Sequence, residues 1–236
     1  MARLNLQLLS AFELECDGAA LRVPASAQRV LAFVALHDHP LRRSYVAGSL
    51  WLDSPEERAY ANLRSALWRL RRFGRRLVET HGSELSLGRD VDVDLRELER
   101  LARCAVTGAA TDALALDASR FASDLLPDWY DDWVLIEREH YRQLRLHARE
   151  ALCERLTGAG GLKEALDVGL AAVAGEPLRE SAQRALVRVH LAEGNVGEAI
   201  RQYRLYRRLL SEQLGIEPSR LMEDLVADFD RVATIR

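Results

Sequence analysis

The sequence predicts a mainly α-helical protein with a small amount of β-structure, in which a short mixed region precedes an all-α repeat region. Three observations predict this fold class. Apolar and polar residues alternate at positions 4–8 and 12–16, which is the pattern of short, half-buried strands. Helical periodicity with start and stop signals follows at positions 26–73. From about position 111 no strand pattern occurs, and the chain repeats itself with a period of 34 residues.

Composition excludes several classes of protein. The chain has 236 residues, of which 48% are hydrophobic, so it can bury a core and is not expected to be disordered. The densest apolar run, residues 30–36, is far shorter than the roughly 20 residues that a membrane helix needs. The N-terminus is strand-like and is not expected to be a signal peptide. Cys16, Cys104 and Cys153 cannot form a disulfide framework, which favours the cytoplasm.

Charge is distributed unevenly along the chain. The formal net charge is −3, which gives no general attraction to nucleic acid. Residues 1–103 carry 16 arginines and 14 acidic residues, whereas residues 104–236 carry 17 basic and 22 acidic residues. Residues 58–78 contain no acid and seven arginines: Arg58, Arg64, Arg69, Arg71, Arg72, Arg75 and Arg76. Because like charges repel each other, this segment is expected to take its counter-ions from a partner.

The N-terminal elements predict a small antiparallel sheet followed by three helices. Strands are predicted at residues 4–8 and 12–16, and a return strand at 21–23 after the Asp17-Gly18 turn. Ser26 is expected to cap a first helix that runs to about residue 37, and a second helix is predicted at 44–52. Ser54-Pro55-Glu56-Glu57 is a helix-start signal for a third helix, which is expected to end near Phe73.

A hairpin follows the third helix. Two short strands are predicted within residues 77–87 around a His81-Gly82-Ser83 turn, and Asp94 is expected to cap another helix. Three strands, three helices and a hairpin are the order of a winged helix-turn-helix domain of the response-regulator type. In that domain the third helix enters the major groove of DNA, and the hairpin, or wing, lies along the backbone.

The third helix combines a predicted buried stripe with an arginine-rich outward face. At about 100° per residue, the buried stripe consists of Ala59, Leu63, Ala66, Leu67, Leu70 and Phe73. The candidate DNA contacts lie on the outward face, before the second helix and at the wing tip: Arg42, Arg43, Asn62, Arg64, Ser65, Trp68, Arg69, Arg71, Arg72 and His81. Simpler interpretations stay open: a solvated arginine face, a core position for Trp68, two merely exposed arginines before the second helix, and a plain turn residue at 81.

The C-terminal region is predicted to be a helical repeat. Ala151-Leu152 recurs as Ala185-Leu186, 34 residues later, which is the period of tetratricopeptide repeats. Repeats of this kind form concave surfaces that bind proteins. Helices are predicted at residues 132–157, 162–174, 179–193, 196–214 and 219–233. We therefore expect a winged-helix domain at 1–103 and an all-α tetratricopeptide-like domain at 104–236, with Trp129 and Trp133 in a seam between them.

The chain resembles a known family along nearly its whole length. Segments 29–36, 42–51 and 56–72 are similar to the helices of the winged-helix domain in the Streptomyces antibiotic regulatory proteins. Segments 90–95 and 198–225 are similar to the exit from the wing and to the end of the bacterial transcriptional activation domain in that family. The resemblance is to the short form, and the wing tip carries His81-Gly82-Ser83 where an aromatic residue is expected.

The resemblance implies a sequence-specific DNA-binding transcription regulator of the cytoplasm and nucleoid. It implies an activator that binds repeated half-sites in double-stranded DNA as a homo-oligomer and recruits RNA polymerase holoenzyme. The residues also allow an alternative, a helical-repeat adaptor or ligand sensor that acts through protein contacts. An enzyme is not expected, because no His, Lys or nucleophile adjoins Asp131-Asp132 and no motif indicates a cofactor or metal.

Overall fold

A computed structural model describes residues 3–107 and 121–233, and the side chains as far as residue 227. By their internal contacts the residues form two compact units. The first consists of Met1–Glu99 and Ser123–Arg142, and the second of Arg100–Ala122 and Gln143–Arg236. The first unit therefore includes Ser123–Arg142, a segment that is separated in sequence from the rest of that unit.

One sheet of the first unit joins the beginning of the chain to the residues after the wing. Its strands are β1 (Leu4–Gln7), β2 (Glu13–Cys16), β3 (Ala19–Ala20) and β7 (Val91–Val93), in the order β3-β2-β1-β7. The alternation predicted for β1 is confirmed, since Leu4 and Leu6 are buried. The predicted return strand at 21–23 is wrong: the two-residue turn Asp17-Gly18, with φ of 50° and 81°, pairs Cys16 directly with Ala19.

Three helices form the core of the first unit: α1 (Ala25–Ala35), α2 (Arg43–Leu50) and α3 (Glu56–Arg71). The predicted serine caps are wrong, because Pro24 and Pro55 occupy the N-cap positions of α1 and α3 in extended conformations. Proline fixes φ at a value compatible with the extended residue before a helix. The N-cap of α1 therefore lies two residues before Ser26, and the N-cap of α3 lies one residue after Ser54. The apolar sides of these helices bury residues that include Val30, Leu31, Leu63 and Leu70.

The wing is a hairpin within a second sheet. Strands β5 (Val78–His81) and β6 (Glu84–Leu87) are antiparallel, as predicted, and Gly82 in their turn has φ of 60°. A two-residue strand, β4 (Leu41–Arg42), adds to the other edge of β6, giving the order β4-β6-β5. Because β4 leads directly into α2, the sheet ties the start of α2 to the wing.

Residues 123–142 complete the first unit. Leu125 forms an antiparallel bridge with Leu9, next to the strand β1. The ring of Trp129 stacks on Phe12 at 5.9 Å between centroids, and the rings of Trp133 and Phe33 form a T-shaped pair at 5.1 Å. The two tryptophans expected in a seam therefore pack against N-terminal residues.

The remaining helices are α4 (Asp94–Thr107), α5 (Asp132–Gly158), α6 (Leu162–Gly175), α7 (Glu180–Ala192), α8 (Val196–Leu214) and α9 (Arg220–Ala233). The bounds of α5 to α9 agree with the five helices predicted for this region to within about two residues at each end, and α4 begins at Asp94, where a helix start was predicted. In the second unit, each helix from α6 to α9 packs against the next one, and the small residues Ala165 and Ala199 are fully buried. The last of these helices closes a core that contains Tyr203, Tyr206 and Met222.

Candidate nucleic-acid interface

Helix α3 separates apolar from basic side chains as its period predicts. The buried residues are Ala59, Leu63, Ala66, Leu67 and Leu70, while Phe73 lies beyond the helix end and is half-buried. The exposed residues are Glu56, Glu57, Arg58, Arg64, Ser65, Trp68, Arg69 and Arg71 within the helix, and Arg72, Arg75 and Arg76 after it. The outward side of α3 thus presents guanidinium groups that are free to approach a large anionic ligand.

One groove joins the start of α2 to the middle of α3. It is lined by Arg43, Arg64, Ser65, Leu67, Trp68 and Arg71. The backbone amide of Arg43 donates to the carbonyl oxygen of Ser83 at 2.9 Å, so this end of α2 is fixed to the turn of the wing. Five of the predicted site residues therefore share one surface, on which hydrogen-bond donors from two helices converge.

Trp68 lies on this surface and not in the core. Its side chain is 60% exposed, which excludes the core position that the sequence left open. The guanidinium carbon of Arg72 lies 5.1 Å from the centroid of the Trp68 ring, within the range of a cation–π contact. The indole therefore holds Arg72 beside the groove.

A second groove joins the end of α3 to the wing. Arg71, Gly74, Arg75, Arg76 and residues 78–81 line it, so Arg71 contributes to both grooves. At the wing, Nε2 of His81 lies 3.2 Å from Oε2 of Glu79. Arg75 and Arg76 line this groove but are absent from the predicted contacts. Both belong to the acid-free segment at residues 58–78, and that pattern was the signal that could have identified them.

Four predicted contacts lie outside these grooves, and one of them is Arg72, which packs on Trp68. Nη1 of Arg69 donates to Oγ of Ser26 at 3.1 Å, which directs Arg69 toward α1. Arg42 is exposed on β4, opposite Glu84 of the wing. Asn62 is half-buried on α3. The structure thus divides the predicted residues into a central group around Arg71 and a peripheral group.

The geometry of the two grooves suits binding of an extended polyanion. Arginine presents several N–H donors in a planar fork, which matches phosphate oxygens and the acceptor edge of guanine. Among the residues that the structure describes, no group of three or more His, Cys, Asp or Glu side chains could hold a metal ion. Over the same residues, no helix is both long and apolar enough to cross a membrane.

Comparison with known families shows which family this chain belongs to. Residues 90–228 match the model of a family described as the bacterial transcriptional activator domain. The chain belongs to this family. Over 221 residues it is 26% identical to the regulatory protein AfsR of Streptomyces coelicolor, a match that covers 89% of this chain and 22% of AfsR. This member of the bacterial transcriptional activator domain family therefore spans about a fifth of the length of that relative.

A solved structure supports the fold along the whole chain. The protein is similar, with a TM-score of 0.82, to EmbR of Mycobacterium tuberculosis, whose structure is described as a complex with a low affinity phosphopeptide. The match covers 98% of this chain and 66% of the EmbR chain, at 19% identity. The predicted fold class and the resemblance to the Streptomyces antibiotic regulatory proteins are confirmed, and the response-regulator type of the winged helix stays a prediction.

Proposed function

We propose that this chain is a sequence-specific DNA-binding transcription activator that inserts α3 into the major groove. The observation that carries the proposal is the position of Arg71, since this residue lines both the groove beside α2 and the groove beside the wing. A duplex that contacts both grooves lies across α3, which is the docking geometry of winged helix-turn-helix domains.

The residues have distinct roles in this proposal. Arg64, Arg71 and Ser65 face the base edges from the central groove, and Trp68 stacks on a sugar or a thymine methyl. The other side chains of this surface bind phosphates or support the docked helix: Arg42, Arg43, Asn62, Arg69, Arg72, Arg75, Arg76 and His81. Base contacts specify the sequence, whereas phosphate contacts fix the register of the protein on the duplex.

The chain has further proposed partners. Residues 1–103 serve as the DNA-binding domain and residues 104–236 as the activation domain, which contacts RNA polymerase holoenzyme. Two or more copies bind repeated half-sites about one helical turn apart, on one face of the duplex. Membership of the activator-domain family and the acidic excess of residues 104–236 support a protein-contacting role for the second domain. Such a protein acts in the cytoplasm, at the nucleoid.

Selection from a random-sequence duplex library, followed by a salt titration, tests the proposal. We expect recovery of a repeated motif, and an affinity for that duplex that falls linearly on a plot of log K against log salt concentration. The expected slope is about −0.9 for each phosphate neutralised, because binding releases condensed counter-ions. Fluorescence anisotropy measures the affinity. An adaptor that acts only through protein contacts would enrich no motif and show no duplex affinity, and that result would reject DNA binding.

A further inference from the structure

Arg29 of α1 joins three parts of the first unit at the turn between α2 and α3. Its Nη2 donates to the backbone carbonyl oxygen of Leu50 at 2.7 Å and to Oδ1 of Asp131 at 2.5 Å. Its guanidinium carbon lies 5.9 Å from the ring centroid of Trp51, the residue that follows α2. One side chain therefore holds the last residue of α2, the first residue of the turn and the residue that precedes α5.

The environment of this contact makes it stronger than an ordinary surface ion pair. The side chains of Arg29 and Asp131 are 30% and 26% exposed, so water screens their attraction less than it screens the attraction of exposed charges. The carbonyl group of Leu50 lies at the C-terminal end of α2, where carbonyls lack partners within the helix and a cation is favoured. Arg29 thus satisfies the end of α2 and the Asp131 carboxylate together.

Asp131 is fixed independently of Arg29. Its backbone carbonyl oxygen accepts hydrogen bonds from the amides of Val134 at 2.9 Å and Leu135 at 3.2 Å, in the first turn of α5. Two residues along the chain, Trp133 is buried with its ring against Phe33 of α1. A carboxylate carried on this fixed backbone orients the guanidinium group, and the guanidinium group in turn orients the end of α2.

We infer that the Arg29–Asp131 pair is a positioning device that sets the turn before α3 and hence the alignment of α3 in the major groove. The inference rests on the proposed function. Asp131 lies within the activator-domain match at 90–228 and outside the proposed DNA-binding domain at 1–103. A residue of the activator domain therefore tunes sequence recognition by the helix-turn-helix. Neither side chain of the pair touches the duplex.

The inference predicts a loss of specificity and not of general DNA affinity. When Asp131 is replaced, the arginines of α3 keep their charges, so attraction to phosphates persists while base contacts lose their alignment. For Asp131→Ala we expect the ratio of affinities for the selected duplex and for a random duplex of equal length to fall about 10-fold, since a hydrogen bond to a charged group is lost. Asp131→Asn keeps an acceptor oxygen but no charge, so its affinity ratio is expected to lie between those of Asp131→Ala and the wild type.

Fluorescence anisotropy with both duplexes measures the ratio, and circular dichroism establishes that each variant is folded. Asp92→Ala is the matched control, because it removes an aspartate paired with an arginine, Arg3, at 3.1 Å in the same unit but far more exposed. The control is expected to keep the wild-type ratio. Folded Asp131→Ala with a ratio within twofold of wild type would overturn the inference, and if that variant does not fold, an unchanged ratio for Asp131→Asn would do so. A wild-type chain that binds both duplexes equally, or neither, would instead overturn the proposed function.

Discussion

Replacement of Arg64 and Arg71 together by alanine is expected to weaken binding to the selected duplex at least about 100-fold at physiological salt. Both side chains line the central groove on α3, and Arg71 also lines the groove beside the wing. A bidentate contact between arginine and guanine contributes roughly 1–3 kcal/mol of discrimination, and each factor of ten in affinity corresponds to about 1.4 kcal/mol. Fluorescence anisotropy with the labelled duplex measures the loss.

A matched control separates local contacts from the loss of two positive charges. Arg201 and Arg208 are exposed on α8 and are seven residues apart, the same spacing as Arg64 and Arg71. Their double alanine variant changes the net charge equally, and we expect it to bind the duplex as the wild type does. If the α3 variant also bound like the wild type, α3 would not be the recognition helix. A reduced salt slope in the α3 variant, by about 1 for each phosphate contact removed, would show how many phosphate contacts these two arginines make.

The two faces of α3 could be predicted from the sequence because a helical period depends only on local spacing. Arg64, Trp68 and Arg71 are four and three residues apart, so they must share one side of the helix, and the structure places them in one groove. Arg69 lies five residues after Arg64, on a different side, where it reaches Ser26 of α1. The sequence could not show that neighbour, since it depends on how α1 packs against α3.

Long-range pairings account for the elements that the sequence did not reveal. Strand β7 has three residues and pairs Val93 with Leu6, and β4 has two residues and pairs Leu41 with Leu85. Strands this short carry no measurable alternation, and their stability comes from cross-strand neighbours that are distant in sequence. The docking of residues 123–142 onto the first unit has the same origin. No local pattern near Asp131 indicates that its partner is Arg29, 102 residues earlier.

Gly88→Ala is expected to destabilise the first unit by about 3 kcal/mol, the upper end of the usual cost of overpacking. A Cβ at residue 88 would lie 1.7 Å from the carbonyl oxygen and 2.9 Å from the carbonyl carbon of Arg76. Both are backbone atoms, so no side-chain rotation relieves the clash. The amide of Gly88 also donates to the carbonyl oxygen of Leu77 at 2.9 Å, which fixes the close approach. Urea unfolding followed by tryptophan fluorescence measures the effect on the first unit, because Trp51, Trp68, Trp129 and Trp133, the four tryptophans of the chain, all belong to it.

Gly48→Ala is the control, and its expected effect has the opposite sign. Gly48 lies within α2, and among the described residues no atom comes within 4 Å of a Cβ built there beyond its own helix backbone and chain neighbours. Alanine in a helix is favoured over glycine by about 0.5–1 kcal/mol, so this variant is expected to raise the free energy of unfolding.

Because the clash at residue 88 displaces the backbone of Arg76 beside the wing, Gly88→Ala is also expected to weaken duplex binding, whereas Gly48→Ala is not. Equal stability of the two variants would mean that the segment between α3 and the wing can move freely, and the groove lined by Arg75 and Arg76 would then not be a preformed phosphate site.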